Sequence, residues 1–152
     1  MPSTENILWS LKSFHNLSSN ELYDLLQMRQ QVFVVEQTCP YRDMDGIDQL
    51  SLHLTGRKNN IVVAYSRIIP PGILYPEPSI GRVATHMQVR GTGIGRQLFQ
   101  RSMDECVRLF GHQPVKIMAQ SYLKNFYESF GFQMQGEPFL EDNIPHIYMI
   151  CP

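Results

Sequence analysis

The run Arg90-Gly91-Thr92-Gly93-Ile94-Gly95 is where this sequence comes closest to declaring a chemistry. Its three glycines join an apolar, strand-like stretch to an amphipathic, helix-like one. Glycine lets the main chain approach a ligand closely. A helix start leaves N–H groups without intrahelical partners, backed by the positive end of the helix dipole. Together these features hold a phosphate or pyrophosphate. The register decides which kind of loop this is. A nucleoside-triphosphate loop, G-x-x-x-x-G-K-[ST], is not matched. A dinucleotide fingerprint, G-x-G-x-x-G, needs its third glycine where Arg96 stands, and it follows the first strand of a doubly wound sheet rather than a strand halfway along. What fits is R-x-x-G-x-G running directly into a helix. Neither a phosphate-binding lysine nor paired metal carboxylates follow it, which disfavours a kinase or nucleotide hydrolase.

Other reactive side chains are scattered. Glu36, His53, His86, Glu141 and His146 are able to accept a proton. Asp43, Asp45 and Asp48 superficially resemble a calcium loop but lack its closing glutamate, so turn chemistry and N-capping are expected of them, and no metal. Cys39, Cys106 and Cys151 are odd in number and widely spaced, which argues against a disulfide framework or a CxxC metal site and fits a reducing cytoplasm. A net charge of −1 without a basic cluster points away from nucleic acid and membrane surfaces. No apolar run approaches the ~18 residues of a spanning helix. The polar stretch Met1 to Asn6 carries no secretory pattern.

These residues need elements to position them. The length of 152 residues and the 43% apolar content fit one folded domain, residues 1–152, with a single sizeable core. Ile7 to Phe14 reads as a first strand. Ser18 with Glu21 forms a capping-box pattern ahead of a helix from about Ser19 to Phe33, with Leu22, Leu25, Leu26 and Phe33 on one face. Arg29 lies on that face, either snorkelling at its edge, the favoured reading, or as an anchor facing a site. Glu36 to Leu50 reads as a loop with one short helical turn. Leu50 to Thr55 and Ile61 to Ile69 read as strands around a turn at Arg57 to Asn60. A proline-rich loop precedes a strand from Ser79 to Thr85. Gly93 to Phe110 is the longest helix, stopped by Gly111. A strand from Val115 to Ala119 and a helix from Ser121 to Phe130 come next. The last two strands, Phe132 to Gly136 and Pro145 to Ile150, flank an acidic loop from Glu137 to Asn143. This order implies an α/β (α+β) fold with a mixed central sheet of six to seven strands and helices on both faces. Edge strands permit a monomer or a homodimer.

The glycine run resembles motif A, [QR]-x-x-G-x-[GA], of the GNAT N-acetyltransferase superfamily. Phe126-Tyr127-Glu128-Ser129-Phe130-Gly131-Phe132 resembles the F-Y-x-x-x-G-F ending of its motif B. Val32 to Gln37, Cys39-Pro40-Tyr41, Asp45-Gly46-Ile47-Asp48, Ile80 to Val83, Ala119-Gln120 and Glu141 to His146 resemble the ElaA-like branch over roughly Trp9 to Met149. The resemblance implies an enzyme that moves the acetyl group of acetyl-CoA to a primary amine of a small molecule, peptide or protein by direct attack. It implies that Val83, Ala84 and Thr85 pair their main chain with the pantetheine arm. The pyrophosphate would sit on Gly91, Thr92, Gly93, Ile94, Gly95 and Arg96, with Arg90 and Arg96 adding charge. A backbone N–H near Thr85 would hold the oxyanion, and Tyr127 would act as general acid. Two departures stand out. Gln120 replaces the asparagine usual seven residues before that tyrosine. The strand before the glycine run carries Ser79, Gly81 and Arg82 but no glutamate, so the base must come from elsewhere, with the five residues above as candidates; Glu36 and Glu141, in segments that border the acceptor site in such a fold, are alternatively binders of a cationic acceptor. The missing glutamate also keeps open a second reading, an acyl-CoA-binding pseudoenzyme or sensor module without turnover.

Overall fold

The computed structural model describes residues 6–152; of the polar stretch Met1 to Asn6, all but Asn6 lies outside the described residues. Among the described residues, seven strands divide into two antiparallel sheets. In the first, β1 (Leu8–Ser13), β2 (Leu52–Lys58), β3 (Ile61–Ile69) and β4 (Ser79–Thr85) are neighbours in that order. The second holds β5 (Val115–Gln120), β6 (Gln133–Glu141) and β7 (Ile144–Cys151), with β7 in the middle.

Helix α1 (Ser19–Gln30) packs on one face of the first sheet, where Leu25, Met28 and the following Val32 meet Val62, Tyr65 and Ala84. Helices α2 (Ile94–Phe110) and α3 (Lys124–Glu128) cover the other face. There Phe99 sits fully buried among Ile68, Ile80, Ile117, Tyr127, Phe132 and Ile147, so α2 and α3 bridge both sheets with one core. Side-chain alternation along β3 serves the two faces in turn: Tyr65 and Arg67 point to the α1 side, Ser66 and Ile68 to the α2 side.

The capping box forms as expected. Ser18 Oγ accepts the Glu21 N–H at 3.1 Å, and a Glu21 carboxylate oxygen accepts the Ser18 N–H at 2.9 Å. The helix does not run evenly to Phe33, however. It stops at Gln30 and widens into a π-helical turn, Gln31–Glu36, across a stretch holding Val32, Val34 and Val35, whose branched side chains crowd an α-helix. The expected acidic loop from Glu137 to Asn143 is a second correction. Strand β6 continues to Glu141, and only Asp142 and Asn143, at φ 50 and 63, turn the chain into β7. Positive φ at both central residues is the geometry of a tight two-residue hairpin turn. The loop-like composition came from a bulge between Gln135 and Phe139, where Gly136 takes φ 79 and Pro138 cannot donate to a ladder.

Candidate active site at the seam between the sheets

Strands β4 and β5 lie side by side where the two sheets meet, yet no ladder joins them. They touch at their starting ends, where the Lys116 N–H donates to the Pro78 carbonyl at 3.1 Å. Beyond that point the seam is open. The His86 N–H donates to the Val63 carbonyl at 2.8 Å, so alternation turns the main chain of Thr85, and of Val83 two residues earlier, away from β3 and into the seam. Ala84 lies between them, with its side chain in the α1-side core. An open edge of this kind offers hydrogen bonds to an extended ligand.

The glycine run begins past the end of β4, after a short 3₁₀ turn at Met87–Val89. Gly91 and Gly93 adopt φ 79 and 89, a region that glycine enters without steric cost. Gly93 is the N-cap of α2, and no side chain caps the helix, so its first N–H groups face outward unclaimed by a capping group. Gly95 has an ordinary helical φ, and a Cβ there would meet only Thr85 Cγ2 at 3.9 Å. The Thr92 hydroxyl braces the turn by donating to the Val89 carbonyl. Arg96 donates to Ser129 Oγ at 2.9 Å and lies 4.6 Å from the Phe130 ring centroid, tying the start of α2 to the end of α3. Arg90 turns back instead: it donates to the Thr85 carbonyl at 2.8 Å and to a Glu36 carboxylate oxygen at 2.6 Å. Its charge is shared with a carboxylate rather than held free for a phosphate.

Tyr127 rises from α3 on the opposite side of the seam from α1. Its ring is buried and packs edge-on against Phe99, Phe126 and Phe132 at centroid distances of 5.0, 5.1 and 6.2 Å. Its hydroxyl bonds to no described residue and is not among the unpaired polar atoms sealed in the interior. Burial, reinforced by Tyr122, pushes the phenol above its ordinary range, so it stays protonated at neutral pH. Gln120, at the end of β5, donates to the Gln37 side chain at 3.2 Å and so links the second sheet to the segment after α1.

The aspartates of the long loop do more than turn it. Arg29 is fully buried, which corrects the expectation that it snorkels. Its guanidinium donates to Asp43 and Asp48 carboxylate oxygens, each at 2.8 Å. Arg67 grips Asp45 with two parallel bonds at 2.8 and 2.9 Å and reaches Asp48 at 3.0 Å. Arg82 pairs with Asp43 at 2.8 Å and lies over the Tyr41 ring, whose hydroxyl also donates to Asp43. Burial alone would raise the Asp45 pKa; hydrogen bonds from Arg67 and the Ile47 N–H, with the nearby arginine charges, outweigh it and lower the value to about 2. The Asp48 carboxyl is likewise lowered, its burial outweighed by Arg29 and Arg67. Three arginines against three aspartates leave the cluster neutral and fasten the loop over β4. Turn chemistry is a minor part of it: Asp45 also accepts the Ile47 N–H at 3.0 Å. Among the described residues no group of acidic, histidine and cysteine side chains is arranged to hold a metal.

The five proton-acceptor candidates are not brought together. His53 is buried with both ring nitrogens engaged, Nδ1 with the Tyr65 hydroxyl at 2.7 Å and Nε2 with the Asp48 carbonyl at 2.9 Å, and burial lowers its pKa. Glu36 is bound by Arg90. His86 Nδ1 accepts the Gln88 N–H at 3.1 Å and caps the 3₁₀ turn. A cleft of about 400 Å³ runs between α1 and the start of β3, bordered by Glu36, His86, Gln31 and Val62; no residue of the second sheet lines it. Glu141 is exposed at the end of β6. His146, buried on β7, sits opposite Gln120 in register. Sequence reasoning did not single out Arg67 or Arg82, whose roles depend on partners nineteen or more residues away.

A family model described as an acetyltransferase (GNAT) domain matches residues 20–152. A UPF0039 protein of Synechocystis sp. is 43% identical over 145 residues, which span 95% of this chain and 94% of that protein. The solved structure of an acyl-CoA N-acyltransferase from Pseudomonas aeruginosa matches with a TM-score of 0.93 and 39% identity, over 96% of this chain and 99% of that one. Escherichia coli ElaA matches with a TM-score of 0.90 and 41% identity, over 96% and 99%. Sequence likeness and backbone geometry agree along almost the whole length, and the chain belongs to the GNAT acetyltransferase family, among its ElaA and UPF0039 members.

Proposed function

We propose that this protein transfers the acetyl group of acetyl-CoA to a primary amine. The observation that carries the reading is the open seam between β4 and β5, with the uncapped start of α2 beyond the end of β4 and Tyr127 buried in the core that joins the two sheets. The features fit the donor part by part. The main chain of Val83 and the Thr85 N–H receive the extended arm, the Thr85 carbonyl being held by Arg90, and Ala84 anchors the strand that presents them. The outward N–H groups of Gly91 to Arg96 receive the pyrophosphate, and Gly95 leaves the helix surface flat there. Gln120 closes the far side of the arm. Arg90 acts indirectly, by fixing the Thr85 carbonyl and Glu36 at the end of β4. The amine nitrogen attacks the thioester carbonyl, the C–N bond forms and the C–S bond breaks. Tyr127, kept protonated by burial, gives its proton to the departing thiolate. The free thiols and the fold are in keeping with a reducing compartment such as the cytoplasm.

The test is thiol release from acetyl-CoA with benzylamine, cadaverine, spermidine and a lysine-containing peptide, with the acetylated product identified by mass. Acetyl-CoA at 100 times its Kd should also stabilise the fold by about 2.7 kcal/mol. Stabilisation without turnover of any amine would instead favour the acyl-CoA sensor. An unshifted melting temperature sinks both readings.

A further inference from the structure

We infer that His146 is the base of this reaction, taking the proton of the acceptor amine on Nε2 from the side of the seam opposite Tyr127. The inference rests on the acyltransfer reading and supplies the residue that the strand before the glycine run lacks.

The face is fixed by alternation along β7. Ile147 and Met149 are buried in the core beneath α2 and α3. His146 and Tyr148 therefore point the other way, to the side of α1 and the long loop. Gln120, the register partner of His146 on β5, points there too, since it reaches Gln37 just after the π-helical turn. The Cys39 thiol meets the Asp142 carbonyl at 3.6 Å, so the same loop also touches the β6–β7 turn. His146 thus lies where the loop, the end of β5 and β7 converge, with Gln120 between it and the open end of the seam. Tyr127 comes from α3 on the opposite face. The two proton transfers of acyl transfer, one from the amine and one to the thiolate, then have separate groups on separate sides.

The ring is set for the task. His146 Nδ1 lies 2.7 Å from the Ile144 carbonyl. A carbonyl has no proton to give, so Nδ1–H is the donor, and the neutral ring carries its lone pair on Nε2. That atom bonds to no described residue and is not sealed in the interior. Phe139 stacks on the ring at 6.2 Å between centroids with planes 25° apart, which restrains its rotation. The other candidates lack this combination: His53 has no free nitrogen, Glu36 is spent on Arg90, His86 caps a turn on the first sheet, and Glu141 is exposed with no partner among the described residues to orient it.

In the step itself the amine nitrogen bonds to the carbonyl carbon and sheds one proton to Nε2. The carbon–sulfur bond breaks, the thiolate takes the Tyr127 proton, and solvent returns the proton held on the imidazole to the phenolate. Amine and acetyl-CoA become amide and free CoA, with no net proton gained or lost.

The test uses His146→Asn and His146→Ala with whichever amine of the panel the wild type turns over fastest. Asparagine retains an N–H near the Nδ1 position, able to donate to Ile144, but provides no base. The expected result is a fall in kcat/KM for the amine of roughly 10²- to 10⁴-fold in both variants. Stabilisation by acetyl-CoA should be unchanged, and added imidazole should restore turnover to His146→Ala. An asparagine variant as active as the wild type overturns the assignment, as does intact acetyl-CoA binding with no rescue. Loss of acetyl-CoA binding along with activity would make the residue structural and also overturns it. A wild type that binds acetyl-CoA but turns over no amine overturns this inference together with the acyltransfer reading.

Discussion

Alanine at Gly93 and alanine at Gly95 should move the stability of this protein in opposite directions, although the two sites are two residues apart. Gly93 sits at φ 89, ψ 0, and a Cβ there would meet nothing within 4 Å. The cost of Gly93→Ala is therefore pure backbone strain, about 1–2 kcal/mol for an L-residue in the left-handed region. At about 2–4 °C per kcal/mol for a chain of this size, the melting temperature should fall by about 2–8 °C. Gly95 is helical, and a Cβ there makes an ordinary contact with Thr85 Cγ2 at 3.9 Å. Alanine is preferred to glycine in a helix by up to about 1 kcal/mol, so Gly95→Ala should raise the melting temperature by up to about 4 °C.

Binding gives the second axis. The left-handed residue aims the peptide entering α2, so relaxing it swings the Ile94 N–H off the line to a phosphate. Gly93→Ala should weaken acetyl-CoA at least tenfold, about 1.4 kcal/mol. Gly95→Ala, which leaves that peptide in place, should bind within a few-fold of the wild type. Scanning calorimetry of the unliganded variants and titration calorimetry with acetyl-CoA read the two quantities separately. Equal melting shifts for the two variants would refute the strain argument, and unimpaired binding by Gly93→Ala would refute the phosphate seat.

Three further outcomes are expected. Asp48→Ala strips a shared carboxylate from two buried guanidinium groups and should cost about 3–5 kcal/mol in urea unfolding, far more than an exposed aspartate would. Asp45 and Asp48 have folded pKa values below the unfolded ones; their contribution is complete above the unfolded value of about 3.9 and is lost as pH falls toward the folded value, about 2 for Asp45. The melting temperature should therefore drop between pH 4 and pH 2 by more in the wild type than in Asp45→Asn. Tyr127→Phe keeps the ring contacts with Phe99 and should leave acetyl-CoA affinity intact while lowering kcat by roughly 10²-fold or more; an unchanged kcat removes Tyr127 as the acid.

What was legible in the sequence is what local chemistry decides. The bounds of β4 match the expected Ser79 to Thr85, and α2 starts one residue after its expected start at Gly93, because glycine, proline and apolar period are signals of adjacent residues. The capping box at Ser18 was readable for the same reason. What escaped depends on distant partners or on geometry that composition does not encode. Asp43, Asp45 and Asp48 look like turn formers until Arg29, Arg67 and Arg82 arrive from α1, β3 and β4. Gly136 and Pro138 look like loop residues, yet they form a bulge inside a paired strand. Among five proton acceptors, only tertiary contacts show which have a free atom, since a histidine with both nitrogens bonded is indistinguishable in sequence from one with a lone pair exposed.

The departure from regularity that matters most is Arg82. It is a non-glycine residue at φ 51, inside a strand, where β4 slips register against β3 between the pairs Tyr65–Ala84 and Arg67–Gly81. Left alone, that conformation costs about 1–2 kcal/mol, and the strand gains by straightening. Here the guanidinium pairs with Asp43 and Asp45 and lies over Tyr41, so straightening the strand would pull a charge out of a closed ion cluster. The bulge bends β4 just past the point where it touches β5, which is where the seam opens. In the acyltransfer reaction proposed above, the aspartates of the long loop act without facing the donor: they brace the kinked stretch of β4, beyond which the seam is open. The same loop approaches β5 and the β6–β7 turn beside His146, so in the proposed reaction it also bounds the face from which the amine would come.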